Sequence, residues 1–147
     1  MEIIVRSKRL AKDFASDVPW AAISISTYGD WPTLNKCQQI DLLQLSFADS
    51  DCIQFITEHN QNESFPSIRL FNEEDANQIL TFVEKIKDKV EILLVHCEAG
   101  ISRSPAAAGA LSLIYNNTDQ EFFCLPFHPN MKVYNTILKK AVEIGLK

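Results

Sequence analysis

Apolar positions change period several times along the 147 residues of the chain, and each change predicts an element. Ile3 to Val5 is a short apolar run that reads as a first strand, and "SKRLAKDFA" after it reads as a small helix opening at Ser7. "AAISISTY", Ala21 to Tyr28, puts β-branched residues at alternate positions and runs into the turn residues Gly29, Asp30 and Pro32, the signature of a second strand. "IDLLQLSF", Ile40 to Phe47, predicts a third strand, closed by the loop "ADSD". From Asp49 to Phe71 the pattern is weakest: a short helix near Asp51 to Glu58, then a polar loop "NQNESFPS". At Asn72 the period becomes helical, with a capping residue, acidic residues in the first turn, and Ile79, Phe82, Val83 and Ile86 on one face. "EILLVHC" is continuously apolar, as a strand covered on both faces must be. A helix follows over Ser104 to Tyr115, with Ser104 as its expected N-cap and Pro105 at its first position. Asn130 caps a last helix to about Ile144 that turns Val133, Tyr134, Ile137, Leu138 and Val142 to the core.

Strands alternating with helices predict an α/β fold: a central sheet, mostly parallel or mixed, covered by helices. With 46% hydrophobic residues, residues 1–147 are expected to form a single domain with its own core. No run approaches the roughly 18 to 20 apolar residues of a membrane span, and the start turns polar after Val5, unlike a secretion signal. A cytoplasmic protein is expected, with no membrane partner. The net charge of −5 argues against a general nucleic-acid binder, so any anion site has to be local. Four scattered cysteines, Cys37, Cys52, Cys97 and Cys124, form no CxxC pair and no zinc-like spacing with His59, His96 or His128. Reduced thiols are expected, with no structural metal and no cofactor.

The densest chemistry lies in "LLVHCEAGISRSPAAAGA", Leu93 to Ala110, where an apolar strand turns into an alanine-rich helix. Such a turn lies beyond the carboxyl end of a strand and at a helix N-terminus, where free N–H groups and the helix dipole favour an anion. Gly100 gives the permissive backbone for a tight curl whose successive N–H groups form a nest. Cys97 opens the curl, next to the helix N-terminus and across from Arg103, a setting that favours a nucleophilic thiolate. Arg103 can pair two oxygens of a phosphoryl group with its planar fork. Ser104 can donate a hydrogen bond to the sulfur and so favour thiolate as a leaving group. A phosphate-binding loop between the central strand and a helix follows from these residues.

"HCEAGISRS" resembles the signature of the protein tyrosine phosphatase superfamily: His-Cys, five residues, then Arg and Ser or Thr. The short chain is similar to the compact dual-specificity type and its bacterial relatives, and Pro129-Asn130 before the final helix is similar to a Pro-Asn of that branch. The likeness covers the last half of the chain well and the first half only in outline. It implies that Cys97 attacks phosphorus to give a cysteinyl-phosphate, that Arg103 binds the phosphoryl oxygens, and that Ser104 assists the second step. His96 would tune the thiolate from behind the loop, and Glu98, Ala99, Gly100, Ile101 and Ser102 would bind substrate chiefly through backbone N–H groups. No metal is needed on this scheme, because Arg103 and the amides supply the positive charge.

The family also implies an aspartate acid on a separate loop. Asp49 in "LSFADSD" is the best match, with Asp51 and Asp75 as runners-up. The long separation of Asp49 from Cys97 makes the segment through Pro66 an insertion. "DWP" at Asp30 to Pro32 has the letters of another acid-loop motif in the wrong order and reads as chance. Asn116, Asn117 and Asn135 are open candidates for positioning the hydrolytic water, and Trp20 and Trp31 read as core or loop anchors. The resulting expectation is a cysteine-dependent hydrolase of phosphomonoesters whose partner is a phosphorylated protein or peptide, carrying phosphotyrosine or also phosphoserine/threonine. Two alternatives stand beside it. One is a phosphoprotein-binding module without turnover, and the other is a phosphatase of phosphoinositides, inositol phosphates or RNA 5′-phosphates, which Glu98, Ala99 and Ile101 in place of loop lysines disfavour.

Overall fold

The apolar runs become four strands of one sheet: Glu2–Ser7 (β1), Trp20–Ser26 (β2), Gln39–Ser46 (β3) and Ile92–Cys97 (β4), in the order β1-β4-β2-β3. Each pairing in this computed structural model, which describes residues 1–50 and 52–147, is parallel. The sheet is therefore wholly parallel, the simpler of the two sheets expected. Side chains leave a strand alternately to either face, and the central strands show it. Ala21, Ile23 and Ile25 of β2 and Leu93, Val95 and Cys97 of β4 enter the main core, while Trp20, Ala22 and Leu94 enter a second cluster on the opposite face.

The helices are distributed unevenly over these faces. Glu73–Ile86 (α3), Arg103–Asn116 (α4) and Met131–Glu143 (α5) build the main core, where Ile79, Leu80, Val83, Leu111 and Ile137 are fully buried. Each such side chain stabilises the fold by about 1.5–3 kcal/mol relative to an exposed one. The opposite face is covered by the short helix Lys8–Ala11 (α1), Phe14 and Leu34 around Trp20, whose Nε1–H donates to the Cys37 carbonyl at 2.8 Å. Ile53–Asn60 (α2) has a small cluster of its own, Ala48, Ile56 and Ile68. Asn60 ties that unit together by exchanging two hydrogen bonds of 2.8 Å with the backbone of Ile68. No helix of the described residues is long and apolar enough to cross a membrane.

Several expectations need correcting. The helix expected from Ser104 starts at Arg103, so Ser104 is inside it, and Ser102 in the cap position makes no side-chain cap bond. Pro105 then sits third, still in the first turn, where an N–H would have lacked an intrahelical acceptor. Val142 is 61% exposed and faces solvent instead of the core. The helix opened by Ser7 is only four residues long, though Ser7 does cap it, its Oγ accepting the Leu10 N–H at 3.2 Å.

Candidate active site

In a parallel sheet all strands deliver their carboxyl ends to one edge, and here β4 ends in Cys97 between the ends of β1 and β2, with β3 next beyond β2. Between Cys97 and α4 the chain curls tightly, and its carbonyls are drawn outward. The Glu98 carbonyl accepts the Lys8 N–H (3.1 Å), that of Ile101 accepts the His128 N–H (2.8 Å), and that of Ser102 accepts the Asn130 N–H (3.0 Å). With carbonyls turned away, peptide N–H groups can turn toward the hollow, and that of Gly100 donates to the Cys97 Sγ at 3.3 Å. Gly100 itself has φ +73°, and a Cβ there would stand 2.7 Å from the Ser7 nitrogen and 2.8 Å from the Arg6 carbonyl carbon. The curl therefore closes against the junction of β1 and α1, which leaves no room for a side chain.

Cys97 is 2% exposed and has the Ser104 Oγ 3.1 Å from its sulfur. Arg103 is buried at the start of α4, where Nη1 donates to the Thr27 Oγ1 and to the Phe47 carbonyl, each at 2.8 Å. Its Nε is buried with no hydrogen-bond partner among the described residues. A buried, unpaired donor on a charged group is costly, so this nitrogen points to an oxyanion as its complement. His96, on β4 beneath the loop, is hydrogen-bonded through Nε2 to Ser24 of β2, while Nδ1 lies 3.4 Å from the Cys97 carbonyl. Burial pushes its pKa below the ordinary histidine value of 6.5, so the ring is neutral at physiological pH.

The structure separates the candidate acids. Asp49, exposed just past the end of β3, accepts on Oδ1 from the Ser102 Oγ (2.8 Å) and from the Asn130 Nδ2 (3.0 Å), which seats it on the rim of the loop. Asp75 is fully engaged elsewhere: its oxygens take two bonds of 2.6 Å from Arg69, and it closes a capping box with Asn72 at the start of α3. Asp51 lies outside the described residues. Asp30 belongs to the turn after β2, where Ser26 (2.5 Å) and Lys8 (3.1 Å) hold its carboxyl down to a pKa of about 2. Lys8 also approaches the Glu98 carboxylate at 4.0 Å, so the one turn and the other loop share a cation.

Among the asparagines, Asn116 donates to the Met1 carbonyl at the far end of the 14-residue α4, a helix about 20 Å long, and Asn117 follows it. Asn135 is exposed on α5. The asparagine at the loop is Asn130, expected from the sequence as a helix cap and as part of a Pro-Asn similar to that of the compact phosphatases, but not as a partner of Asp49. The side chains of Ser102 and Thr27 were missed as well, since nothing in their neighbourhood in the chain marks them. Trp31 is an anchor, its Nε1–H donating to the Leu45 carbonyl at 3.0 Å. Cys37, Cys52 and Cys124 are exposed free thiols.

The sequence matches no family model and no curated protein sequence. Solved structures do match the fold along almost the whole chain. Human DUSP28 is 12% identical with a TM-score of 0.58, covering 97% of this chain and 93% of its own. PTPMT1, solved in complex with PI(5)P, is 15% identical with a TM-score of 0.57, covering 98% and 92%. OH1 from the Orf virus, a tyrosine phosphatase, is 12% identical with a TM-score of 0.50, covering 99% and 82%. A four-stranded parallel sheet with a Cys-to-Arg curl at its carboxyl edge thus gives this chain the fold of the dual-specificity and tyrosine phosphatases.

Proposed function

We propose that the protein is a cysteine-dependent phosphatase that hydrolyses phosphomonoesters of proteins through a phosphocysteine. The observation that carries this reading is the pairing of Cys97, its sulfur contacted by the Gly100 N–H and the Ser104 hydroxyl, with an Arg103 whose buried Nε has no partner among the described residues. A phosphoryl group bound in the curl would complete that nitrogen and stand in line with the sulfur.

In the first step the Cys97 thiolate attacks phosphorus. The S–P bond forms as the P–O bond to the leaving group breaks, and Asp49 gives its proton to the departing oxygen. Charge on the equatorial oxygens is met by Arg103 and the inward N–H groups of residues 98–102. In the second step water attacks the phosphocysteine and loses its proton to the Asp49 carboxylate. The S–P bond breaks, and the Ser104 hydroxyl stabilises the departing thiolate. His96, held between Ser24 and the Cys97 carbonyl, is a positioning residue beneath the loop.

Phosphotyrosine is the preferred substrate in this proposal, with phosphoserine and phosphothreonine secondary. The rim supports a singly phosphorylated group over a polyanion: Glu98 and Asp30 are 68% and 61% exposed, and Lys8, the cation near both, is 24% exposed. Exposed Ile101 and Tyr28 offer apolar contacts to an aromatic leaving group.

Release of phosphate from p-nitrophenyl phosphate tests the chemistry. The wild-type protein turns over, Cys97→Ser falls to background, and Arg103→Lys, which keeps the charge and loses the fork, falls about 100-fold or more. Full turnover by Cys97→Ser would contradict the mechanism. Faster hydrolysis of PI(5)P or an inositol phosphate than of phosphotyrosine peptides would overturn the substrate class alone.

A further inference from the structure

The Asn130 side chain bonds both the start of α5 and the loop after β3 that carries Asp49. Its Oδ1 accepts the backbone N–H groups of Lys132 (3.0 Å) and Val133 (3.2 Å), capping α5. Those two donors fix which end of the amide is oxygen, so the Nδ2 must face the other way. There it donates to the Asp49 Oδ1 at 3.0 Å, while the Asn130 backbone N–H holds the Ser102 carbonyl at 3.0 Å. The Ser102 hydroxyl reaches the same Asp49 oxygen at 2.8 Å.

A carboxylate on an exposed loop rotates freely unless something holds it, and an exposed acid placed at random is a poor proton donor. Here both donors converge on Oδ1, so that among the described residues Oδ2 is the oxygen left to carry and deliver a proton. One donor, Ser102, comes from the phosphate-binding curl. The other, Asn130, comes from the helix cap that also fastens that curl. Asp49, the curl and the N-terminus of α5 are thereby referenced to one another without a covalent link.

We infer that Asn130 is a positioning residue for the acid step: it orients Asp49 over the loop so that the free carboxyl oxygen faces the leaving group. The inference rests on the reading of Asp49 as the acid. Its effect should appear in how strongly the rate depends on the leaving group. p-Nitrophenol departs readily without a proton, whereas phenol needs one, so the ratio of kcat/KM for p-nitrophenyl phosphate to that for phenyl phosphate reports acid catalysis.

Asn130→Ser keeps a good N-cap on α5 but is too short to reach Asp49. The ratio is expected to rise about 10-fold in Asn130→Ser and about 100-fold in Asp49→Asn, with no further rise when both are combined. A ratio raised by Asp49→Asn but unchanged in Asn130→Ser would make Asn130 a helix cap only and overturn the inference. A ratio unchanged by Asp49→Asn would remove Asp49 as the acid, and the inference would fall with that assignment while the phosphocysteine chemistry stood. Melting curves establish that Asn130→Ser is folded. If it is not, Ser102→Ala removes the other donor from the same oxygen and takes its place, with a raised ratio expected and an unchanged one fatal to the inference.

Discussion

Gly100 sets the most demanding backbone condition in the molecule. A φ of +73° strains any L side chain, and a Cβ 2.7 Å from the Ser7 nitrogen has no soft neighbour to displace. Gly100→Ala is expected to cost about 1–3 kcal/mol in urea unfolding and to lower kcat/KM as the curl opens, since the Gly100 N–H no longer reaches Cys97. His96 makes a second claim at this scale. Its neutral form is favoured in the fold, so the unfolded chain binds a proton at higher pH than the native one. The stability it contributes is whole above the ordinary pKa of 6.5 and is lost as pH falls through the lower folded value. Melting temperatures should therefore drop as the pH is lowered through and below 6.5, and the drop should shrink in His96→Gln, which removes the titration. Asp30 and Asp41 have their carboxyls held below the usual range, so their own contributions are lost only at lower pH. Of these residues Cys97, Gly100, Arg103 and Ser104 are legible in the chain because they are neighbours in it. Thr27 and the hydroxyl of Ser102 reach the site through contacts between distant segments, which leave no local pattern, and the Pro-Asn at Asn130 marks a helix cap without showing that its amide reaches Asp49.

Elements were legible in proportion to how local their causes are. The amphipathic face and capping box of α3 announce it, and the box forms as its residues suggest, with Asn72 and Asp75 exchanging bonds. Asp75 carries the Arg69 pair as well, at 1% exposure. Asp75→Ala removes both, and urea unfolding should register a loss of about 2 kcal/mol. The dependence of rate on leaving group should not change, which separates this aspartate from Asp49. α4 illustrates the opposite case. Serine at 104 favours a cap there, yet the Ser102 carbonyl accepts the Ala106 N–H (3.2 Å), so the helix starts earlier and frees the Ser104 hydroxyl for the sulfur. A tertiary demand overrides local preference at the helix end that carries the candidate site. The segment around α2 was hard to read for a different reason: Ile53 and Phe55 are exposed, so the helix shows no clean apolar face. It is held instead by Ile56 and by Asn60 against Ile68.

At the scale of the whole molecule, the alternation of strands and helices was enough for the α/β class, but not for the choice between a mixed and a parallel sheet. Strand direction is fixed by pairing between segments far apart in the chain, such as Ser7 with Cys97 or Ser24 with His96. The parallel arrangement has a functional result, because it brings the ends of β2, β3 and β4 to one edge and lets Thr27 and Phe47 hold Arg103. Overall charge bears on the proposal in the same direction: at −5, with Glu98 and Asp30 on the rim, any attraction for an anion has to come from the curl itself. The central claim is that this edge makes and breaks a bond between sulfur and phosphorus. Acid quench during turnover of p-nitrophenyl phosphate, followed by mass spectrometry of the peptide containing Cys97, measures that directly. Phosphate on Cys97 that accumulates within the first turnover and persists longer in Asp49→Asn is the predicted result. Steady hydrolysis with no phosphate ever found on Cys97 would contradict it.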